Sequence, residues 1–160
     1  MKKYNLAILG ATGAVGQEML KVLAERDFPV NELKLLASKR SAGTLMEFKG
    51  KNYEIEEATE SSFENVHVVL CAAENDISLR LSPAAVKAGA VVIDNSSAFR
   101  LNDDVPLVVP EVNGEDVKKH KGIIANPNCS TIIALVAINE LNKYSKIKRM
   151  IVSTYQAVSG

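Results

Sequence analysis

The sequence has no run of about 18 apolar residues, the length that a membrane-spanning helix requires, so we expect no such helix. Cysteine is scarce: there are two, Cys71 and Cys129, and their spacing is not that of a metal-binding motif. So few cysteines are typical of a reducing compartment, in which thiols stay free. From the cysteine spacing we expect no bound metal. The start of the chain lacks the long apolar segment of a secretory signal peptide, so we expect a cytoplasmic protein.

Neither sign of charge is in excess, since 19 basic residues balance 19 acidic ones. Without a basic surplus, nothing in the composition indicates a nucleic acid or an anionic membrane as a partner. The 160 residues are enough for one ordinary domain with a sizeable core. A content of 47% hydrophobic and 24% charged residues is typical of a soluble globular domain.

A strand, a glycine-rich turn and a helix are predicted at the start of the chain. Residues 4–9 have the pattern of a buried strand, and apolar residues recur at helical spacing after residue 14. Between them, Gly10 permits a tight turn, Gly13 lets a diphosphate approach the backbone, and Gly16 allows the helix to pack closely on the strand. Such a turn can be purely structural, but its place directly after the first strand favours dinucleotide binding.

The second predicted strand, residues 33–37, indicates which dinucleotide is bound. NAD-binding domains have an acidic residue near the end of this strand, which holds the ribose 2′-hydroxyl. Here the strand runs instead into a basic, hydroxyl-rich segment, Ser38-Lys39-Arg40-Ser41. A guanidinium and hydroxyls can bind a 2′-phosphate, so the sequence favours NADP over NAD. The alternative is an ordinary solvated loop.

The remaining pattern alternates strands and helices, as in an α/β protein with a mostly parallel sheet. Cys71 and His67 fall on a predicted central strand, so packing is the expected role of Cys71 and a packed or rim position that of His67. The predicted elements are an edge hairpin (44–48 and 52–56), strands (66–73, 90–93 and 147–154), a helix over 77–88 that Pro83 must begin or kink, and a helix over 114–119 capped by Asn113.

Cys129 lies on a predicted turn between a strand, residues 122–125, and an apolar helix. Pro127 should end the strand, and Ser130 and Thr131 are good helix starters. A cysteine at a helix N-terminus is favoured as the thiolate, and free backbone N–H groups there could stabilise an oxyanion. A lone cysteine is more often a small buried hydrophobe, but the polar neighbours of this one favour a nucleophile.

A second candidate site residue, Arg100, ends the polar stretch 94–100. This stretch follows the strand 90–93, at the carboxyl edge where open α/β sheets place their ligands. Arg100 could bind a phosphate or a carboxylate through two parallel hydrogen bonds. A surface arginine with a local partner is an equally good interpretation.

Taken together, these motifs resemble the aspartate-semialdehyde dehydrogenase family. Five stretches match in order: residues 10–16, 38–43, 94–100, 125–131 and 153–160. The most specific is the Asn-Pro-Asn-Cys-Ser-Thr segment that contains Cys129. The resemblance implies a Rossmann-like NADP-binding domain over residues 1–128. It also implies that residues 129–160 begin a catalytic and dimerisation domain.

The resemblance also implies roles for individual residues. Cys129 is similar to the acyl-thioester nucleophile of the family, and Arg100 to its phosphate-binding arginine. Gln156 and Asn128 correspond to residues that hold the substrate beside the cysteine. The implied NADP contacts are Gly10, Thr12, Gly13, Ala14, Val15, Ser38, Arg40, Ser41, Ser159 and Gly160.

The implied reaction is the reversible reductive dephosphorylation of 4-phospho-L-aspartate to L-aspartate 4-semialdehyde and phosphate, in the biosynthesis of aspartate-family amino acids. The implied partners are these small molecules and a second subunit of a homodimer, with neither a nucleic acid nor a membrane. Two alternatives stay open. One is a related acyl-phosphate reductase, such as an N-acetylglutamyl-phosphate reductase, and the other is a non-catalytic dinucleotide-binding module.

One departure from the family concerns length. Its members are roughly twice as long as this sequence, which corresponds to one more domain of ordinary size. Their acid/base histidine and further basic substrate ligands lie in that second half, whereas His67 and His120 match no family motif. We therefore expect this sequence to be the amino-terminal portion of the enzyme, with an incomplete active site.

Overall fold

The structure, a computed structural model, describes residues 2–156 of the chain. Its strands are β1 (Tyr4–Leu9), β2 (Val30–Ala37), β3 (Leu45–Phe48), β4 (Lys51–Glu57), β5 (Val68–Cys71), β6 (Val91–Asp94) and β7 (Ile123–Ala125). Its α-helices are α1 (Ala14–Glu25), α2 (Asn75–Lys87), α3 (Pro110–Asn113) and α4 (Cys129–Tyr144), and two 3₁₀ turns cover Glu60–Phe63 and Gly114–Lys119. Among the described residues, no helix has both the length and the apolarity needed to cross a membrane.

The strands form one sheet in the order β3-β4-β2-β1-β5-β6-β7. All neighbouring pairs are parallel except β3 and β4, which form an antiparallel hairpin at one edge. From β1 the chain builds outward through β2 and β4, and then returns to the other side of β1 to add β5. This reversal beside β1 is the switch point at which open α/β sheets bind ligands. The predicted fold, a Rossmann-like domain with a mostly parallel sheet and an edge hairpin, is confirmed.

Both faces of the sheet are buried, which explains the continuous apolar runs of its central strands. Successive side chains of a strand point to opposite faces, so Leu6 and Ile8 face one core and Ala7 and Leu9 face the other. Helix α1 covers the first core, and α2 covers the second. Cys71 belongs to the second core and is fully buried, so its predicted packing role is confirmed.

The carboxyl ends of four strands lie side by side. Leu9 of β1 pairs with Cys71 of β5, Cys71 pairs with Asp94 of β6, and Asp94 pairs with Ala125 of β7. The loops that leave these strands therefore start at the same edge of the sheet. Those loops carry the glycine turn, the stretch before Arg100 and the segment before Cys129.

Two predicted elements differ from the structure. Residues 147–154 form no strand, because a strand needs a hydrogen-bonded neighbour and this segment, largely exposed, pairs with none of the described residues. The predicted helix over 114–119 is a 3₁₀ turn, and Asn113 does not cap it. The Asn113 side chain instead accepts from the Val109 N–H and donates to the Leu107 carbonyl and to Asp116.

Pro83 was expected either to begin a helical segment or to kink one, and it does not begin one. It lies inside α2, which continues to Lys87.

Candidate active site

The glycine turn after β1 has one glycine with open space beside it and two that the packing requires. Gly10 has a φ of +89°, and a Cβ there would lie 2.6 Å from the Ala72 carbonyl oxygen. A Cβ on Gly16 would lie 2.3 Å from the Gly10 oxygen, so any side chain there would separate α1 from the turn. A Cβ on Gly13 would meet nothing closer than 3.5 Å. Gly13 is also the N-cap of α1 and makes no side-chain cap, so this helix end presents backbone N–H groups to open space.

A pocket of about 250 Å³ adjoins this turn, and we call it the glycine-turn pocket. The polar residues among those that line it are Ser38 and Lys39 after β2, Glu57 at the end of β4, and Arg80 of α2. Arg40 and Ser41, which the sequence favoured as phosphate ligands, lie in the next turn and do not line this pocket.

Arg80 is therefore a cation that sequence analysis missed at this pocket. Helical periodicity could have found it, because Ile77 and Arg80 are three residues apart on α2 and line the same pocket.

A larger cavity of about 680 Å³, the cysteine cleft, lies where β1, β5, β6 and β7 end. It brings together five of the residues singled out from the sequence, which are Val15, Arg100, Asn128, Cys129 and Gln156. Its wall also includes loop residues that follow β5 and β6. The cleft thus joins the start of α1, the dinucleotide site predicted from the sequence, to the candidate nucleophile.

Cys129 is the first residue of α4, and its side chain is exposed to the cleft. The sequence suggested Ser130 or Thr131 as the residue that starts the helix, but the helix cap is Asn128. The Asn128 side-chain oxygen accepts from the backbone N–H groups of Ser130 and Thr131, at 3.1 and 3.4 Å. Two of the N–H groups expected to stabilise an oxyanion are therefore already used by the cap.

The amide of Gln156 lies against the sulfur of Cys129. Its Nε2 donates to Sγ over 3.2 Å, and its Oε1 accepts from Asn128 Nδ2 over 3.4 Å. Asn128 thus caps α4 with its oxygen and orients Gln156 with its nitrogen. Side-chain amides are good donors to a carbonyl or an oxyanion, so a substrate bonded to Cys129 would meet two of them.

Arg100 is half-buried in the wall of the cleft. Its Nε donates to the Asn126 carbonyl at 2.9 Å, and its Nη2 donates to the Asn95 carbonyl at 2.8 Å. Both acceptors are neutral, so the positive charge of the guanidinium is not neutralised by a carboxylate among the residues 2–156. A phosphate or carboxylate bound in the cleft could supply that counter-charge.

A buried polar turn supports the loop that leads to Arg100. Asp94 is fully buried, and its two carboxylate oxygens accept from the backbone N–H and the hydroxyl of Ser96. Beside it, burial raises the pKa of the Cys71 thiol from its ordinary 9.0 to about 11. The Cys71 thiol is thus packed in the core and stays protonated well above neutral pH.

The two histidines lie at the amino ends of the parallel strands, whereas the cysteine cleft lies at their carboxyl ends. His67 precedes β5 and its Nδ1 accepts from the Asn5 N–H, while His120 precedes β7 and its Nδ1 accepts from the Gly122 N–H. Of the two positions expected for His67, packed or at the rim, the structure shows the rim position, because the residue is exposed. Two further predicted cofactor contacts, Ser159 and Gly160, lie outside the described residues.

Comparison with known families identifies one match that covers most of the chain. Residues 5–120 match the family model described as the semialdehyde dehydrogenase, NAD binding domain. An aspartate-semialdehyde dehydrogenase of Bacillus subtilis is 54% identical over 156 residues, which cover 98% of this chain and 45% of that protein. The chain thus spans about half the length of the curated relatives it matches.

Solved structures show the same similarity. The aspartate semialdehyde dehydrogenase II of Vibrio cholerae, complexed with ASA, superposes with a TM-score of 0.86 at 50% identity and covers 89% of this chain and 47% of its own. The aspartate semialdehyde dehydrogenase of Candida albicans, solved with NADP, has a TM-score of 0.75 at 28% identity. That match covers 90% of this chain and 48% of the Candida chain.

Proposed function

The chain belongs to the semialdehyde dehydrogenase family, and from that membership we propose that it is the amino-terminal part of an NADP-dependent aspartate-semialdehyde dehydrogenase. Membership makes its Rossmann-like fold a nicotinamide-dinucleotide-binding domain. The proposed reaction is the reversible conversion of 4-phospho-L-aspartate to L-aspartate 4-semialdehyde and phosphate, a step in the biosynthesis of aspartate-family amino acids. One observation carries the proposal above the others: the exposed Cys129 shares a cleft with Arg100, whose charge no carboxylate of residues 2–156 neutralises.

In the proposed mechanism, Cys129 is the nucleophile. Its thiolate attacks the carbonyl carbon of the acyl phosphate, the bond to phosphate breaks, and an acyl-thioester forms on Sγ. Arg100 receives the departing phosphate dianion through the N–H groups that its two backbone acceptors leave free. Gln156 and Asn128 place their amides beside the sulfur, where the substrate carbonyl must lie. When bound, the nicotinamide supplies the hydride that reduces the thioester to the aldehyde and releases Cys129.

The glycine turn fits the diphosphate of a dinucleotide. Gly13 leaves open space where an anion could approach the backbone N–H groups at the start of α1. We assign the contacts along this turn to Gly10, Thr12, Gly13, Ala14 and Val15. Val15 also lines the cysteine cleft, so one continuous surface could hold both the diphosphate and the nicotinamide end.

The finer choice of NADP rests on the residues around the second strand. No acid stands at the end of β2, and the following residues bring the hydroxyls of Ser38 and Ser41 and the cations Lys39 and Arg40. Arg80 adds a cation from the other side of the glycine-turn pocket. The acid of this pocket, Glu57, lies one strand further out, on β4. We therefore assign the 2′-phosphate to this basic group.

The proposed domain division places residues 1–128 in the cofactor-binding domain and the start of a catalytic and dimerisation domain at Cys129. It is supported by the packing of α4, which has no buried residue and exposes 74% of Ile133 and 92% of Tyr144. An apolar helix of this kind needs a cover, which the second half of the enzyme or a second subunit of a homodimer would supply.

The experiment that tests the proposed function is an assay of the full-length protein. Formation of NADPH at 340 nm is followed with L-aspartate 4-semialdehyde and phosphate, and in parallel with N-acetylglutamate semialdehyde and phosphate. We expect turnover only with the first pair, and its loss in Cys129→Ser. Turnover with the second pair would assign the chain to the related reductase. Binding of NADP without turnover of either would support a non-catalytic dinucleotide-binding module.

A further inference from the structure

Asn95 and Asn126 hold Arg100, and each makes one hydrogen bond to it and one to the other asparagine. Their carbonyl oxygens accept the two hydrogen bonds that hold the guanidinium. Their side chains also bond to each other, with Asn126 Nδ2 donating to Asn95 Oδ1 over 2.5 Å. The same pair therefore fixes Arg100 by its backbone and is itself fixed by its side chains.

This amide bridge connects three neighbouring strand ends. Asn95 follows β6, and its Nδ2 and backbone N–H both donate to the carbonyl of Cys71 at the end of β5. Asn126 follows β7, and its backbone N–H donates to the Asp94 carbonyl at the end of β6. The positions of the two carbonyls that hold Arg100 are thus tied to the sheet rather than to a free loop.

The bridge also links Arg100 to the nucleophile. Asn126 belongs to the segment Asn126-Pro127-Asn128-Cys129, which leads directly into α4. Arginine has many rotamers, and a guanidinium held at Nε and Nη2 keeps its plane while Nη1, which bonds none of the described residues, stays available. The position of Arg100 relative to Cys129 therefore depends on Asn126, which holds the guanidinium and lies in the segment that leads to the cysteine.

We propose that Asn95 and Asn126 are positioning residues, whose side-chain bridge aims Arg100 at an anion bound beside Cys129. This inference rests on the proposed role of Arg100 and deepens it. A bridge that only ties the strands together would affect stability, but it would not change how the cleft distinguishes an anion from a neutral molecule of similar size. That difference gives the experiment its readout.

The experiment compares two alkylating reagents on the purified 160-residue chain at neutral pH. Iodoacetate is an anion and iodoacetamide is neutral. The ratio of the iodoacetate rate to the iodoacetamide rate at Cys129 therefore measures how strongly the cleft attracts an anion. Arg100→Gln is the reference variant and should lower this ratio about tenfold, the order expected for losing a nearby charge. Asn126→Ala and Asn95→Ala should each lower it at least about threefold, with the iodoacetamide rate unchanged.

The matched control is Asn113→Ala, which removes an amide that makes three hydrogen bonds away from the cleft. It should leave the ratio at the native value. In the double variant of Asn95 and Asn126, the ratio should fall no further than in the single variants, because one bridge is lost in each case. Far-ultraviolet circular dichroism verifies that each variant folds. If Asn126→Ala does not fold, Asn126→Ser, which keeps one polar side-chain atom but no amide, replaces it.

The outcomes distinguish the positioning role of the two asparagines from the role of Arg100. A ratio that falls in Arg100→Gln but keeps its native value in both asparagine variants overturns the positioning role and leaves the proposed function intact. A ratio that does not change in Arg100→Gln overturns the role of Arg100 and the inference with it. Equal losses in the rates of both reagents show a general distortion of the site, which also contradicts the proposal.

Discussion

Cys71 and Cys129 carry the same thiol in opposite surroundings. Cys71 lies in the core at the carboxyl end of the inner strand β5, with none of its surface exposed, while Cys129 begins α4 in the open cleft. Brief treatment with iodoacetamide at pH 7 should therefore modify Cys129 and leave Cys71 intact. Peptide mapping by mass spectrometry checks this, with unfolded chain as the control in which both react. Modification of Cys71 in the folded chain would contradict its assignment to the core.

The raised pKa of Cys71 predicts a loss of stability in alkali. Below pH 9 the thiol is protonated in both the folded and the unfolded chain and contributes no pH dependence. Between 9.0 and about 11 the unfolded chain releases this proton and the folded chain keeps it, so stability falls as the pH rises. The slope is about 1.4 kcal/mol per pH unit.

Urea denaturation at several pH values, compared between the native chain and Cys71→Ala, isolates this contribution from those of other groups. The difference in the free energy of unfolding between the two proteins should narrow as the pH rises through this window. A constant difference would contradict the burial of the thiol.

Two arginines test the choice of cofactor. Arg40 follows β2 and Arg80 lines the glycine-turn pocket from α2. Arg40→Ala and Arg80→Ala should each weaken NADP binding by about 1.5–3 kcal/mol, the value of a hydrogen bond to a charged group, and leave NAD binding nearly unchanged. Calorimetric titration with both cofactors measures this, and Arg26→Ala, at the far end of α1, is the control. Equal weakening of NADP and NAD would exclude a 2′-phosphate contact.

At the scale of elements, short sequence patterns predicted most strands and turns, but they did not predict the contacts between residues far apart in the chain. The strands, the glycine turn and the hairpin follow from short apolar runs and glycine spacing. The supposed strand over 147–154 has equally good local propensity, but it has no described neighbour with which to pair. The bond from Asn126 to Asn95 spans 31 residues and that from Gln156 to Cys129 spans 27, and no periodicity in the sequence indicates either.

The start of α4 shows how a local rule can select the wrong residue. Asparagine, serine and threonine are all good caps, and three of them surround Cys129. Asn128 is the cap because it directly precedes the first helical residue and keeps a non-helical backbone, with φ −58° and ψ 140°. Its side-chain oxygen therefore reaches the N–H groups of Ser130 and Thr131.

Removing this cap should weaken the helix. Asn128→Ala leaves those two N–H groups without their acceptor and should destabilise α4 by about 1 kcal/mol. Asn128→Asp keeps the acceptor and loses only the bond to Gln156, so it should retain the helix. Hydrogen exchange of the α4 amides compares the two variants with the native chain. Equal protection in Asn128→Ala and in the native chain would show that the cap contributes nothing.

For the whole molecule, the arrangement predicts binding without efficient turnover. The 160-residue chain combines the glycine turn with the proposed nucleophile Cys129 and the proposed phosphate ligand Arg100, but both of its histidines lie at the opposite, amino ends of the strands. A general acid or base contributes about 10²–10⁴-fold to a rate. The purified chain should therefore bind NADP but show little NADPH formation from L-aspartate 4-semialdehyde and phosphate at 340 nm. Activity near that of the full-length protein, lost in His120→Ala, would contradict this prediction.

The conformation of Gly10 has a consequence for how the sheet finds its alignment. With cores on both faces, β1 could slide by one residue and still bury apolar side chains, so its hydrophobic pattern alone does not mark a unique position. Gly10 does, because its N–H and that of Ala11 both donate to the Leu36 carbonyl, and its missing side chain admits the Ala72 oxygen. The contacts of Gly10 thereby fix the register of β1 relative to both β2 and β5.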